Sequence, residues 1–255
     1  MPLKQKAVTA RNRNGLGEAF SWSDGFIDHA TTIGPAPHCV YSLVGIHCTM
    51  SKAELPTRDR IVLAAGKLFH QDGIRAVSMD AVAERTGVTK RTLYYHFRSK
   101  DDLIAAHLEA RDQPNLARFQ QWFDASEGAV SDRIKGLFEK LAQAARHPKW
   151  KGCGFLRTSV ELINLPGHPA IQAGRLHKKR VEDWFCSILD PVGKSEPARR
   201  TARQLILLLD GAFSVVLLHR DASYMESAGE AAASLVRLLE PVGNAPRKTP
   251  NDRIA

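Results

Sequence analysis

Between Ser78 and Phe97 two short apolar-periodic segments are separated by little more than Gly87-Val88, and this pair constrains the chain more than any other feature. Ser78 opens the first segment as a helix cap, and the segment runs through Met79 and Val82 to Thr86, where Gly87 breaks it. Thr89 opens the second, which turns Leu93 and Phe97 inward at i, i+4. The two segments read as short helices separated by Gly87-Val88. They form a helix-turn-helix, and Leu93 and Phe97 need a third helix to bury them. The segment from Thr57 offers one, with Ile61, Ala65, Leu68 and Phe69 on one face, Thr57 after Pro56 as the expected N-cap and Gly73 as the stop.

The face of the second helix that avoids the core points to its chemistry. With Lys90 set at 0° and about 100° per residue, Tyr94 falls near 40°, Arg91 near 100° and Tyr95 near 140°, whereas Leu93 lies near 300°. Two cations and two phenols share the outward face, with no acid among them. A solvated face mixes signs, and tyrosines have little reason to stand in water, so the pattern points to a polyanion.

The distribution of charge agrees. The formal net charge is +9 (36 Lys+Arg against 27 Asp+Glu). Residues 50–100 hold 10 basic and 5 acidic side chains, whereas residues 101–242 hold 19 and 18. A basic module on a nearly neutral body is the footprint of a nucleic-acid reader. Enzymatic signatures are missing from the sequence: it has no Gly-rich phosphate loop after a strand, no His-Glu-x-x-His and no Gly-x-Ser-x-Gly, and no cofactor is expected.

The stretch Ala65-Gly66-Lys67-Leu68-Phe69, Gly73-Ile74-Arg75, Val82-Ala83-Glu84-Arg85-Thr86-Gly87-Val88-Thr89-Lys90-Arg91-Thr92-Leu93-Tyr94-Tyr95-His96-Phe97 and Ser99-Lys100-Asp101-Asp102-Leu103 resembles the DNA-binding domain of TetR-family (TetR/AcrR-type) transcriptional regulators. Arg91 stands where many members have Gly. Further on, Gly152-Cys153-Gly154-Phe155, a helix with Glu161, and Leu207-Leu208-Leu209-Asp210-Gly211-Ala212 follow the family more loosely. The resemblance implies an all-α fold: an N-terminal three-helix helix-turn-helix domain, then a larger helical domain for effector binding and dimerisation. It implies a homodimer through residues 197–220 and 224–239, a palindromic operator in double-stranded DNA, and repression relieved by a small-molecule effector. A rival reading is an architectural DNA-binding protein, or a ligand-binding protein, with no dedicated operator.

On that basis Lys90, Arg91 and Thr92 are candidate base readers, Arg91 being able to bond bidentately to guanine. Tyr94, Tyr95 and His96 are candidates for phosphate and thymine-methyl contacts. Thr89 and Ser78 cap helices beside the DNA backbone, and Lys100 opens a fourth helix whose N-terminus favours phosphate. In the body, Phe138, Phe155, Leu162, Trp184 and Phe213 supply the apolar side chains an effector pocket wants, and a small, largely apolar ligand is expected there.

The organisation expected from pattern is residues 1–49 as a disordered extension or a start-site artefact with Met50 the true start, 50–100 as the DNA-binding domain, 101–242 as the helical body and 243–255 as a disordered tail. The fourth helix is expected from Ser99 to Arg111, stopping before Pro114 and alone carrying any signal between the two halves. Further helices are expected at 116–125, 131–146, 155–164, 169–189, 197–220 and 224–239. His38-Cys39 and His47-Cys48 match no standard zinc spacing, Cys153 is a small packing residue, and Asp210 is left without a role. Asp210 also interrupts the longest apolar run, Leu205 to Leu218, so no membrane span is expected; four scattered Cys and no signal segment suggest the cytoplasm.

Overall fold

The computed structural model describes residues 39–42, 45–48, 55–191 and 195–240. Among them are nine helices and one two-stranded hairpin. The N-terminal half contains α1 (Thr57–Asp72), α2 (Met79–Thr86) and α3 (Lys90–His96). The body contains α5 (Val130–Ala145), α6 (Gly154–Glu161), α7 (Pro169–Leu189), α8 (Glu196–His219) and α9 (Ser223–Arg237), and α4 (Lys100–Asp124) belongs to both.

Side chains satisfy the helix starts where the sequence places them. Ser78, Thr89 and Ser99 each accept from the backbone N–H three residues on, at 3.1, 3.1 and 3.0 Å. Gly87 ends α2 in the left-handed region at φ 72°, and the N–H groups of Gly87 and Val88 both reach the Ala83 carbonyl, at 2.9 and 3.1 Å. The Thr86 carbonyl takes a 3.2 Å bond from Arg60 of α1, which ties the turn to the helix beneath it. Leu93 and Phe97 are buried with Ile61, Val62 and Phe69 in the core.

Several expectations need correction. The N-cap of α1 is Pro56, whose carbonyl accepts from Asp59 and Arg60 at 3.0 Å each; Thr57 is the first helical residue. Pro114 does not stop the fourth helix. Proline removes one N–H and crowds a preceding carbonyl, but burial of Asn115, Phe119 and Phe123 on the far side holds the helix through it. The separate helix expected at 116–125 is therefore the second half of α4, and the boundary at residue 100 falls at the start of a shared helix. α6 ends at Glu161, short of the expected Asn164.

Within residues 1–49, expected as a disordered extension or a start-site artefact, β1 (Cys39–Ser42) and β2 (Gly45–Cys48) pair antiparallel with Cys39 opposite Cys48 and Val40 opposite His47. Their backbones run beside α4 and α1 respectively. The rest of the extension and the tail from 243 lie outside the described residues. By length and composition α8 could cross a bilayer despite Asp210, the one such helix among the described residues; here it packs against α7 and α9.

In the body α5 lies along α9, and the closeness has one cause. A Cβ at Gly229 would stand 2.7 Å from Cβ of Phe138, so only glycine permits this approach. Gly229→Ala is expected to cost about 1 to 3 kcal/mol and lower the melting temperature. A Gly229→Ala protein that melts as the parent does would show that the helices separate without cost.

Candidate DNA-binding surface and effector cavity

α3 presents its outward face without cover from the other described residues. Arg91 is exposed, Tyr94 is about half exposed and Tyr95 is 85% exposed, its ring meeting His96 edge-on at 5.2 Å. Thr92 is held by Thr89, whose hydroxyl lies 2.9 Å from its own. Ser78 is exposed at the start of α2. Lys90 is not the unopposed cation the helix wheel suggests, because Asp80 of α2 sits 2.8 Å away and raises its pKa. A wheel drawn on one helix cannot show an acid supplied by its neighbour.

Lys100 stands half-buried at the head of α4. Its ammonium donates to the Arg75 carbonyl at 3.3 Å, and partial burial lowers its pKa. That bond belongs to a second connection between the halves, which corrects the expectation that α4 alone joins them. Glu161, at the end of α6, accepts from the N–H groups of Ile74 and Arg75 at 3.0 and 3.3 Å. The Arg75 guanidinium returns two bonds, of 3.0 and 2.7 Å, to the Glu161 carbonyl. Lys151 adds a 2.6 Å bond to the Gln71 carbonyl. The loop after α1 is thus strapped to the body. Glu161 and Arg75 both stand in the motif-bearing segments, but nothing in the sequence pairs residues 86 apart.

Between these anchors α4 buries a polar stripe of His107, Arg111, Asp112 and Asn115. His107 meets Phe69 of α1 edge-on at 5.7 Å. Burial, then the charges of Arg111 and His70, push its imidazole down to about 3. Further along, Asp112 binds both Arg180 and His177 of α7, the latter at 2.8 Å, and the His177 ring stacks on Phe155 at 3.8 Å. Among the described residues no three His, Cys, Asp or Glu side chains gather as a metal site. The side chains of His38, Cys39, His47 and Cys48 lie outside that description.

The five apolar side chains chosen for a pocket do not converge. Phe138 is pressed against α9, Phe213 stacks on Trp150, Trp184 packs on Phe123 and Phe185, and Leu162 is buried just beyond α6. Phe155 alone of the five lines a cavity of about 380 Å³ between α6, α7 and α8. Phe155, Leu156 and Ile206 form its apolar part, and Lys178 bridges Asp210 on α8 to Cys153, whose sulfur is 3.7 Å away. Burial opposes the Lys178 charge, but Cys153 and Asp210 outweigh it and raise the pKa. Asp210 therefore has a partner within the chain.

Residues 61–107 match the family described as Bacterial regulatory proteins, tetR family. The HTH-type transcriptional regulator YjdC of Escherichia coli (strain K12) is 24% identical over 181 residues, 71% of this chain and 93% of that protein. The HTH-type transcriptional regulator UidR of the same strain is 39% identical over 66 residues, 26% of this chain and 34% of that one. SCO4454, a TetR-family transcriptional regulator from Streptomyces coelicolor, superposes with a TM-score of 0.61 at 27% identity, over 72% of this chain and 96% of its own.

The buried imidazole makes stability depend on pH. His107 stays neutral in the fold down to about 3 but titrates near 6.5 once unfolded, so below 6.5 the unfolded chain binds one more proton. Stability should fall as pH drops from 6.5 towards 3, at up to ~1.4 kcal/mol per pH unit for this group. His107→Leu should flatten the slope of unfolding free energy between pH 6.5 and 5 by about one proton; an unchanged slope would place the titrating group elsewhere.

Proposed function

We propose that this chain, which is a TetR-family transcriptional regulator, works as a homodimer that grips a palindromic operator with its two recognition helices and releases it when a small molecule fills the cavity between α6, α7 and α8. Repression is the direction proposed, in the cytoplasm where operator DNA lies. The relatives described above are all named as transcriptional regulators, and the chain is not an enzyme.

The observation that carries the reading is the bare face of α3. Arg91, Tyr94 and Tyr95 stand out from a helix whose other side, Leu93, is fully buried, so the core fixes the angle at which the face is shown. A helix held this way fits the major groove. Arg91 has the fork that reads guanine, and Thr92 and Lys90 flank it, although Lys90 must exchange Asp80 for DNA. Tyr94, Tyr95 and His96 reach the groove wall, while the caps Ser78 and Thr89 and the head of α4 at Lys100 meet phosphates.

The dimer surface proposed is the outer face of α8 and α9. Leu205, Leu209, Phe213 and Val216 are buried, whereas Leu207 and Leu218 of α8 stay 72% and 79% exposed, as does Leu238 just after α9 at 81%. Large apolar side chains left exposed on the last two helices favour a second copy. Ala232 is buried within the subunit, and Leu235 is half-buried at the edge of the face.

The signal would pass by two routes. α6 and α7 border the cavity; α7 is bonded to α4 through Asp112, and α6 is strapped to the loop before α2 through Glu161. A ligand that parts α6 from α7 would therefore move both anchors of the recognition helix.

Selection of bound DNA from a random pool should enrich a palindrome, whereas an architectural protein would enrich no site. On the selected operator Arg91→Ala should cost about 1 to 3 kcal/mol and relax one base position, while Lys100→Ala should weaken all sequences alike and reduce the salt slope by about one. Equal losses on operator and random DNA for both variants would sink the assignment. Leu207→Glu should sediment as a monomer that no longer protects the palindrome, and an unchanged dimer would place the interface elsewhere.

A further inference from the structure

We infer that the cavity between α6, α7 and α8 takes a small amphipathic carboxylate, with its apolar body against Phe155, Leu156 and Ile206 and its anionic head at Arg175 and Lys178. The inference rests on the reading of this cavity as the effector site and specifies what the site selects.

The charges on its walls are unequal in what they have left to give. Three cations line the cavity, Arg175, Lys178 and Lys179, with two acids, Glu182 and Asp210. Both acids are already answered: Asp210 pairs with Lys178, and Glu182 lies 3.5 Å from Lys179 and 3.5 Å from Arg203. Lys179 also binds Asp183 at 2.7 Å. Arg175 enters no ion pair among the described residues, although it borders the same space. Lys178 directs two of its three N–H bonds to Asp210 and Cys153, which leaves the third for the cavity. A cationic ligand would have to displace a lysine or arginine from an acid that already holds one. An anionic head meets a free guanidinium fork and a spare ammonium hydrogen, and a carboxylate matches that fork bidentately.

The head should carry one charge rather than two. Asp210 and Glu182 stand beside the cations, so a dianion such as a phosphate monoester would add repulsion that a single carboxylate mostly avoids. The remainder of the ligand should be apolar, because Phe155, Leu156 and Ile206 offer a surface with no hydrogen-bonding side chain and Ser159 is the one hydroxyl on the wall. At about 380 Å³ the space is at the lower end for small-molecule sites, roughly 300 to 1,000 Å³. Gly174 keeps α7 close to α6 there, since a Cβ at that position would stand 3.1 Å from the Ser159 hydroxyl.

The full chain is titrated by calorimetry with octanoate and 3-phenylpropionate, and with the primary amide of each. At least one acid should bind, with its amide weaker by about tenfold or more, and the acid should lower operator affinity in parallel. Arg175→Gln should cost the acid about tenfold and leave the amide unchanged, with melting temperature and operator affinity without ligand unaltered, because Arg175 is exposed and bonded to nothing that the fold uses. Leu156→Trp, which occupies the part of the space where the apolar body would lie, should abolish binding of the acid in a protein that still melts cooperatively and binds operator. Equal affinity for acid and amide, or an unchanged Arg175→Gln protein, overturns the anionic head and leaves the cavity as an effector site. If neither acid binds, the inference fails. Neutral and cationic compounds of the same length then separate the cases: binding that Leu156→Trp abolishes keeps the cavity, and no binding removes it together with the carboxylate.

Discussion

The membership of α4 in two cores at once is the constraint on which the rest of the structure depends. Its first turns, with Leu103, Ile104 and His107, close the DNA-binding half against α1, and its last turns, with Phe119 and Phe123, are buried in the body. A helix of 25 residues is stiff over that length, so a change at one end is felt at the other. Pro114 falls between the two ends and removes one backbone hydrogen bond from the helix where the two cores part. The helix is continuous because side chains on both sides of the proline are buried, not because the local sequence favours it.

Buried polar groups supply what apolar packing alone would lack, a defined register between α4 and its neighbours. Asp112 on α4 is held by Arg180 and His177 of α7, and a buried carboxylate left without them would be costly. The His177 ring stacks on Phe155, which borders the cavity, so the pair that positions α4 against α7 also touches the wall where a ligand would rest. The strap from Glu161 to the loop at Ile74 and Arg75 gives the DNA-binding half a second hold on the body. With two anchors the recognition helix can be re-aimed by relative movement of α4 and α6, which one anchor would permit only by bending.

The parts of this arrangement that were legible in the sequence share a physical property: they depend on residues close together in the chain. Ser78, Thr89 and Ser99 cap their helices through bonds to N–H groups three residues on, and Gly87 ends α2 in a conformation that glycine adopts without strain. The outward face of α3 followed from helical periodicity for the same reason. Most of the misreadings required a partner outside the element concerned. Asp80 beside Lys90 comes from another helix, Pro114 is overruled by packing, and the pairing of β1 with β2 arises where no alternating pattern stands out. Glu161 was conspicuous in its motif, but its bonds to residues 74 and 75 span more than half of the described chain before α7 begins.

By itself the sequence determined the helix-turn-helix, the caps that begin and end its helices, the side chains that face outward from α3 and the all-helical character of the body. These follow from backbone bonds and side-chain periods that act within a few residues. Tertiary structure decided which aromatic side chains are ordinary core and which border a cavity, which cation on the wall is left without an acid, and how the two halves are joined. Phe138 and Phe155 look alike in sequence, yet one is spent against Gly229 and the other lines an open space. Only the crossing of helices far apart in the chain separates them, because burial is a property of the neighbours a residue acquires on folding and not of the residue itself.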